Sequence, residues 1–182
     1  MNRQDLETYL AALDERLERP ATLVVYGSAA VMLLGETDRT SLDIDIAGPY
    51  SSADYGQLSC AAAAIGVPVN PSEDFAGDHL EWVSPLLLAL PEPDDASSVV
   101  LWQGARLTVK TVSPAQLVAS KLIRYDEIDQ SDVRFLCSQS RLTYDEVAAA
   151  VEQLPPRFRS DPVVRDNLEN LRSDLKSWEP AP

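Results

Sequence analysis

Leu42-Asp43-Ile44-Asp45-Ile46 sets the tightest limit on what this chain can fold into. Apolar and acidic residues alternate, which is the two-residue period of a β-strand. Leu42, Ile44 and Ile46 are expected to face a core, with Asp43 and Asp45 projecting together from the other face. Aspartate disfavours strands, so two on one short strand need a compensating cause. Side by side they repel one another unless a cation lies between them. The plain alternative is a polar strand face turned to solvent.

The residues upstream add to this. Leu23 to Tyr26 is a short apolar, β-branched run that reads as a buried strand. Gly27-Ser28 makes a turn, residues 29–34 form a short helix, and Gly35 is placed to stop it. A Gly-Ser turn at a helix start leaves backbone N–H groups free, and with the helix dipole they suit a phosphate. Magnesium is usually held by one or two carboxylates together with substrate phosphates. Strand, Gly-Ser, short helix, loop and Asp-x-Asp strand therefore point, in that order, to a metal–phosphate site. Taken alone, Gly27-Ser28 reads as an ordinary turn.

The remaining pattern predicts an α/β (α+β) protein with a small mixed sheet, flanking helices and a helical C-terminal region. Leu6, Tyr9, Leu10, Leu13 and Leu17 recur at helical spacing, so residues 4–18 form an amphipathic helix that Pro20 ends. Ser51 can cap a helix running to Gly66, His79–Val83 reads as a strand, and residues 91–98 as a loop. Residues 99–112 read as a hairpin turning near Gln103-Gly104. Ser113-Pro114 starts a helix through Tyr125, and Thr143 starts another that ends before Pro155-Pro156. A last helix covers Val163 to Trp178, and residues 179–182 form a loose tail. Two regions follow from this: an α/β domain over 1–112 with an N-terminal helix, and helices over 113–182 packed on it.

Composition narrows the function. The 182 residues include 15 Lys and Arg against 29 Asp and Glu, for a net charge of −14. Such a balance disfavours a general nucleic-acid binder, which needs a basic surface. No apolar run is long enough to span a bilayer, and the first residues lack a signal-peptide layout, so a cytoplasmic location is expected. Cys60 and Cys137 stand in apolar surroundings and read as buried thiols in a reducing compartment. No Cys/His cluster suggests zinc.

VVYGSAAVMLLGETDRTSLDIDI resembles the signature of the DNA polymerase beta-type nucleotidyltransferase superfamily. SPAQLVASKLIRYDEIDQSDVRFL is similar to the segment that follows in AbiEii-type toxins and related nucleotidyltransferases. The two stretches cover about residues 22–46 and 105–137. The resemblance implies that Gly27 and Ser28 contact phosphate, that Asp43 and Asp45 bind Mg2+ or Mn2+, and that Lys121 faces a nucleoside triphosphate. It pairs Asp129 and Asp132 with two acidic residues of the downstream helix. A third carboxylate on a later strand is also implied. Glu81, flanked by Leu80 and Trp82, is the best candidate. The implied activity moves a nucleoside monophosphate to a transfer RNA or protein acceptor, as the toxin of a toxin–antitoxin pair with a cognate antitoxin as partner. Two departures stand out: the loop between Ser28 and Asp43 is slightly long, and Ile128 occupies a position often basic.

Plain readings compete at several positions. Asp129 and Asp132 have the spacing of an N-cap and its third-position partner, which alone explains both. Lys121 could lay its stem over the core with its amine in water. His79, the only histidine, reads as a surface residue. Arg134, Arg141, Arg157, Arg159, Arg165 and Arg172 all fall in the helical half. They form either a basic rim for an acceptor or helix-face pairs with Asp161, Asp166, Glu169 and Asp174. The rival function is a non-catalytic nucleotidyltransferase-like binding module, distinguished by whether a third carboxylate completes the metal site.

Overall fold

Two parallel strand pairings organise the first half of the chain. The structure is a computed structural model describing residues 1–178, so the tail at 179–182 lies outside the described residues. Strand β1 (Ala21–Val24) pairs in parallel with β5 (Leu107–Thr111), and β4 (Val99–Gln103) lies antiparallel on the other side of β5. Strands β2 (Asp43–Ala47) and β3 (His79–Val83) form a second parallel pair. A bridge between Val25 and Ile46 links the two small sheets. Parallel neighbours need a long crossover, and α2 (Gly27–Leu33) and α3 (Tyr55–Ala64) lie in those connections.

Helix α1 (Arg3–Arg16) begins at Asn2, where Asn2 and Asp5 form a capping box. Leu6, Leu10, Leu13 and Leu17 are buried, each contributing about 1.5–3 kcal/mol. Tyr9 is only half-buried, because its hydroxyl donates to Asp78. Near the helix's end, the Asp14 carboxylate accepts the N–H groups of Ala105, Arg106 and Leu107 at 2.6–3.0 Å. That fastens the β4–β5 turn to α1.

Several local expectations are corrected. Leu42 is 58% exposed, because β2 begins only at Asp43; Ile44 and Ile46 carry the core face without it. Gly27 and Ser28 are the first residues of α2 rather than a turn before it. Ser51 does not cap α3. Its hydroxyl donates to Ala47 O and accepts from Val24 N, while Asp54 caps α3. Cys60 lies on the outer side of α3 and is exposed; Cys137 is buried.

The chain divides into two compact units. One comprises Met1–Leu88 and Pro93–Thr111; the other comprises Ala89–Glu92 and the described residues from Val112 onward. The second unit is helical: α4 (Pro114–Lys121), α5 (Glu127–Ser140), α6 (Tyr144–Val151), α7 (Pro156–Arg159) and α8 (Pro162–Trp178). Its core includes Leu117, Leu122, Leu136, Val147, Leu154 and Leu171. Capping boxes start α4 at Ser113 and α6 at Thr143. Helix α4 stops at Lys121, four residues short of the expected end, and Tyr125 takes a left-handed turn (φ 55°) into α5. Asp126, not Asp129, caps α5.

Candidate metal centre

The register of β2 on β3 creates the site. Asp45 lies opposite Glu81 and Asp43 opposite His79. Neighbouring strands stand roughly 4.8 Å apart and alternate residues share a face, so Asp43, Asp45 and Glu81 emerge from one surface. Carboxylate oxygens of the three lie within 4.8 Å of one another. Leu80, between His79 and Glu81, is buried on the opposite face. Glu81 is exposed and the aspartates half-buried, which leaves the cluster open on one side. Three hard oxygen donors on an open face suit magnesium or manganese rather than a thiolate-preferring metal. The donor set therefore fits the metal that the sequence resemblance implies.

Surrounding groups orient the acids. Ser41 Oγ donates to Asp43 Oδ1 at 2.5 Å. Tyr26 N donates to the backbone oxygen of Asp45 at 3.1 Å, joining the end of β1 to β2. Burial pushes the Tyr26 hydroxyl far above its ordinary range, and the charges of Asp45, Glu81 and Asp43 push it further. Gly27 follows with φ 64°, and a Cβ there would collide with Asp45 Oδ2. Only glycine meets both demands.

Ser28 carries a partner that the sequence did not point to. Arg39 Nη2 donates to Ser28 Oγ at 2.5 Å. Arg39 lies in the polar loop between Gly27-Ser28 and Asp43, and no spacing rule marks an arginine there. Helix α2 has only seven residues, so its dipole is short. Ser28 and Arg39 instead form a hydroxyl–guanidinium pair beside the start of α2. A cleft of about 430 Å³ adjoins the triad, lined by Asn70, His79, Glu81, Trp82, Ser84 and Leu87 among others. His79 is one of its walls, and its Nδ1 lies 3.0 Å from Gly77 O.

Lys121 and its partners belong to the helical unit. The Lys121 amine is buried and sits 2.6 Å from Asp132 and 3.1 Å from Asp129. It is not in water, and the two aspartates are not a helix cap. Arg124 also binds Asp129, at 2.9 Å. Burial pushes the Asp129 carboxyl up, but the hydrogen bond from Arg124 and the charge of Lys121 outweigh it and hold it below the usual range.

A mixed α/β core with an acidic triad on one strand pair and helices after it is the architecture of a nucleotidyltransferase-like protein. The chain belongs to the family described as Nucleotidyltransferase of unknown function (DUF6036), which matches residues 4–155. Among solved structures it is similar to an antigenic nucleotidyltransferase-like protein from Paracoccidioides brasiliensis, at 16% identity and a TM-score of 0.50. That similarity spans 98% of this chain and 93% of the other, and it is a likeness of fold. No curated protein matches the chain significantly. No helix among the described residues is long and apolar enough to cross a membrane.

Proposed function

We propose that this chain is a metal-dependent nucleotidyltransferase that moves a nucleoside monophosphate from a triphosphate to an acceptor hydroxyl. The observation that carries this reading is the convergence of the Asp43, Asp45 and Glu81 carboxylates within 4.8 Å, in the same unit as Ser28 and Arg39. Asp43, Asp45 and Glu81 would hold Mg2+ or Mn2+. When bound, the metal would neutralise charge developing on the phosphoryl group and orient the attacking oxygen. Ser28 and the backbone at Gly27 would hold phosphate, and the Arg39 guanidinium would offset its charge. The acceptor oxygen attacks the α-phosphorus, the bond to the β-phosphate oxygen breaks, and pyrophosphate leaves.

The resemblance to AbiEii-type toxins supports a transfer RNA or a protein hydroxyl as acceptor and a cognate antitoxin as partner. It also implies a triphosphate contact for Lys121. The buried ion cluster around that amine supports a structural role instead, which a prediction below separates. The rival reading as a non-catalytic module draws on the departures from the family pattern and on the acidic charge, while the register of Glu81 against Asp45 supports a third carboxylate.

The test is to incubate the protein with each labelled triphosphate, magnesium and a cell lysate. A labelled product that disappears with Asp43→Asn/Asp45→Asn is expected. Equal labelling by the double variant, or none by the native chain with any triphosphate, would overturn the proposal.

A further inference from the structure

The helical unit contains a cavity of about 600 Å³ between the C-terminal half of α5, the start of α6 and the end of α8. Four cations line it: Arg134, Arg141, Arg172 and Lys176. None of the described residues lining it is acidic, in a chain where acids outnumber bases by 29 to 15. Arg134, Arg141 and Lys176 have no ion-pair partner among the described residues. Arg172 has one, Glu169 at 3.2 Å, which also accepts from the Tyr144 hydroxyl at 2.8 Å. The Arg172 guanidinium lies 4.0 Å from the centre of the Tyr144 ring, and Trp178 forms another wall.

This combination specifies a ligand. Four cations with three of their charges uncompensated call for an anion of more than one charge. The volume falls in the range of small-molecule sites, about 300–1,000 Å³. An indole and a guanidinium laid on a phenol offer flat faces, on which nucleobases stack at roughly 1–3 kcal/mol per base. An acidic peptide would use the cations but not the planes. The other arginines of this half do not join them. Arg165 pairs with Glu152, Arg159 donates to Glu152 O, and Arg157 lies over Phe158.

We infer that this cavity is a second nucleotide-phosphate site, binding a base against Trp178 and the guanidinium of Arg172 and its phosphates on Arg134, Arg141 and Lys176. It needs no metal and does not rest on the acidic triad. The same chemistry can come from a free nucleotide or from a nucleotide within single-stranded RNA.

The experiment uses the full-length chain in EDTA at low salt, with ATP, inorganic triphosphate, a ten-residue oligouridylate and polyglutamate as probes. ATP or the oligouridylate is expected to bind. Arg134→Glu/Lys176→Glu, both at exposed positions, should weaken that binding at least tenfold, as should Trp178→Ala. Asp43→Asn/Asp45→Asn should leave it unchanged, which separates this site from the triad. Oligouridylate binding more than tenfold tighter than ATP, and falling steeply with salt, assigns the site to RNA; comparable affinity assigns it to free nucleotide. Several results would overturn the inference: no binding of either nucleotide probe, undiminished binding by the folded variants, or triphosphate or polyglutamate binding as tightly as the nucleotides.

Discussion

The Asp45 carboxylate rests against the bare Cα of Gly27, where any side chain would collide with Oδ2. The glycine and the aspartate are 18 positions apart, yet each fixes the other. The start of α2 and the strand that carries the acids are therefore one unit rather than two adjacent motifs. Gly27→Ala should lose about 1–2 kcal/mol from the left-handed backbone alone and should also displace Asp45. We expect the variant to fold with a lowered melting temperature and to show no further rise when manganese and a triphosphate are added. Thermal melts with and without both ligands check this; a native-sized rise would show that Asp45 does not need the bare glycine.

Glu81 is exposed, so Glu81→Gln should change metal-free stability by less than about 0.5 kcal/mol. Manganese affinity should fall about tenfold, because one of three charged ligands becomes neutral. Calorimetric titration of manganese into both proteins gives the answer. Unchanged affinity would leave the metal to the two aspartates.

Lys121→Ala leaves the nearly inaccessible Asp132 without its counter-ion. Removing one partner of a buried pair costs about 3–5 kcal/mol. Urea unfolding should show a loss of that size, with nucleotide affinity measured by calorimetry unchanged. A stable variant with weakened nucleotide binding would instead favour the triphosphate role.

The depressed Asp129 carboxyl predicts an acid dependence. A group whose folded pKa lies below its unfolded value, about 3.9, contributes stability fully above that value and loses it as pH falls through the folded pKa. Between pH 7 and 5 this contribution should be flat. Below about pH 4 it should decline, and Asp129→Asn should flatten that part of the profile. Urea midpoints at pH 3 and pH 5 for both proteins suffice.

The two cysteines should separate cleanly. Cys60 is exposed, whereas burial pushes the Cys137 thiol up to about 11. Since the thiolate is the reactive form, Ellman's reagent at pH 8 should titrate one thiol in the native protein and two in urea. Cys60→Ser should abolish the native reaction.

The alternation in Asp43-Ile44-Asp45-Ile46 carried most of the site, because period-two patterning reports directly which side chains share a face. It overreached at Leu42, since periodicity says nothing about where pairing begins. Glu81 could be nominated from its apolar neighbours, but its position beside Asp45 depends on strand register, a non-local fact. Arg39 and Tyr26 were out of reach for the same reason. Their contacts cross a loop or a sheet, and no local spacing encodes them. In the helical half, the acidic spacing of Asp129 and Asp132 fits a cap equally well. Asp126, three residues earlier, took that part and freed the other two for Lys121.

The pairing of β1 with β5 sets an order of assembly during synthesis. Val24, which leads into Gly27, takes as its partner Lys110. A ribosome that has released only as far as Val83 has delivered all three carboxylates and both of their strands. It has not delivered β5, the strand that pairs with β1. The nascent protein therefore carries Gly27 and all three acids before it carries the strand that braces β1, and a chain interrupted before Leu107 would present the anionic patch with β1 unpaired on that side.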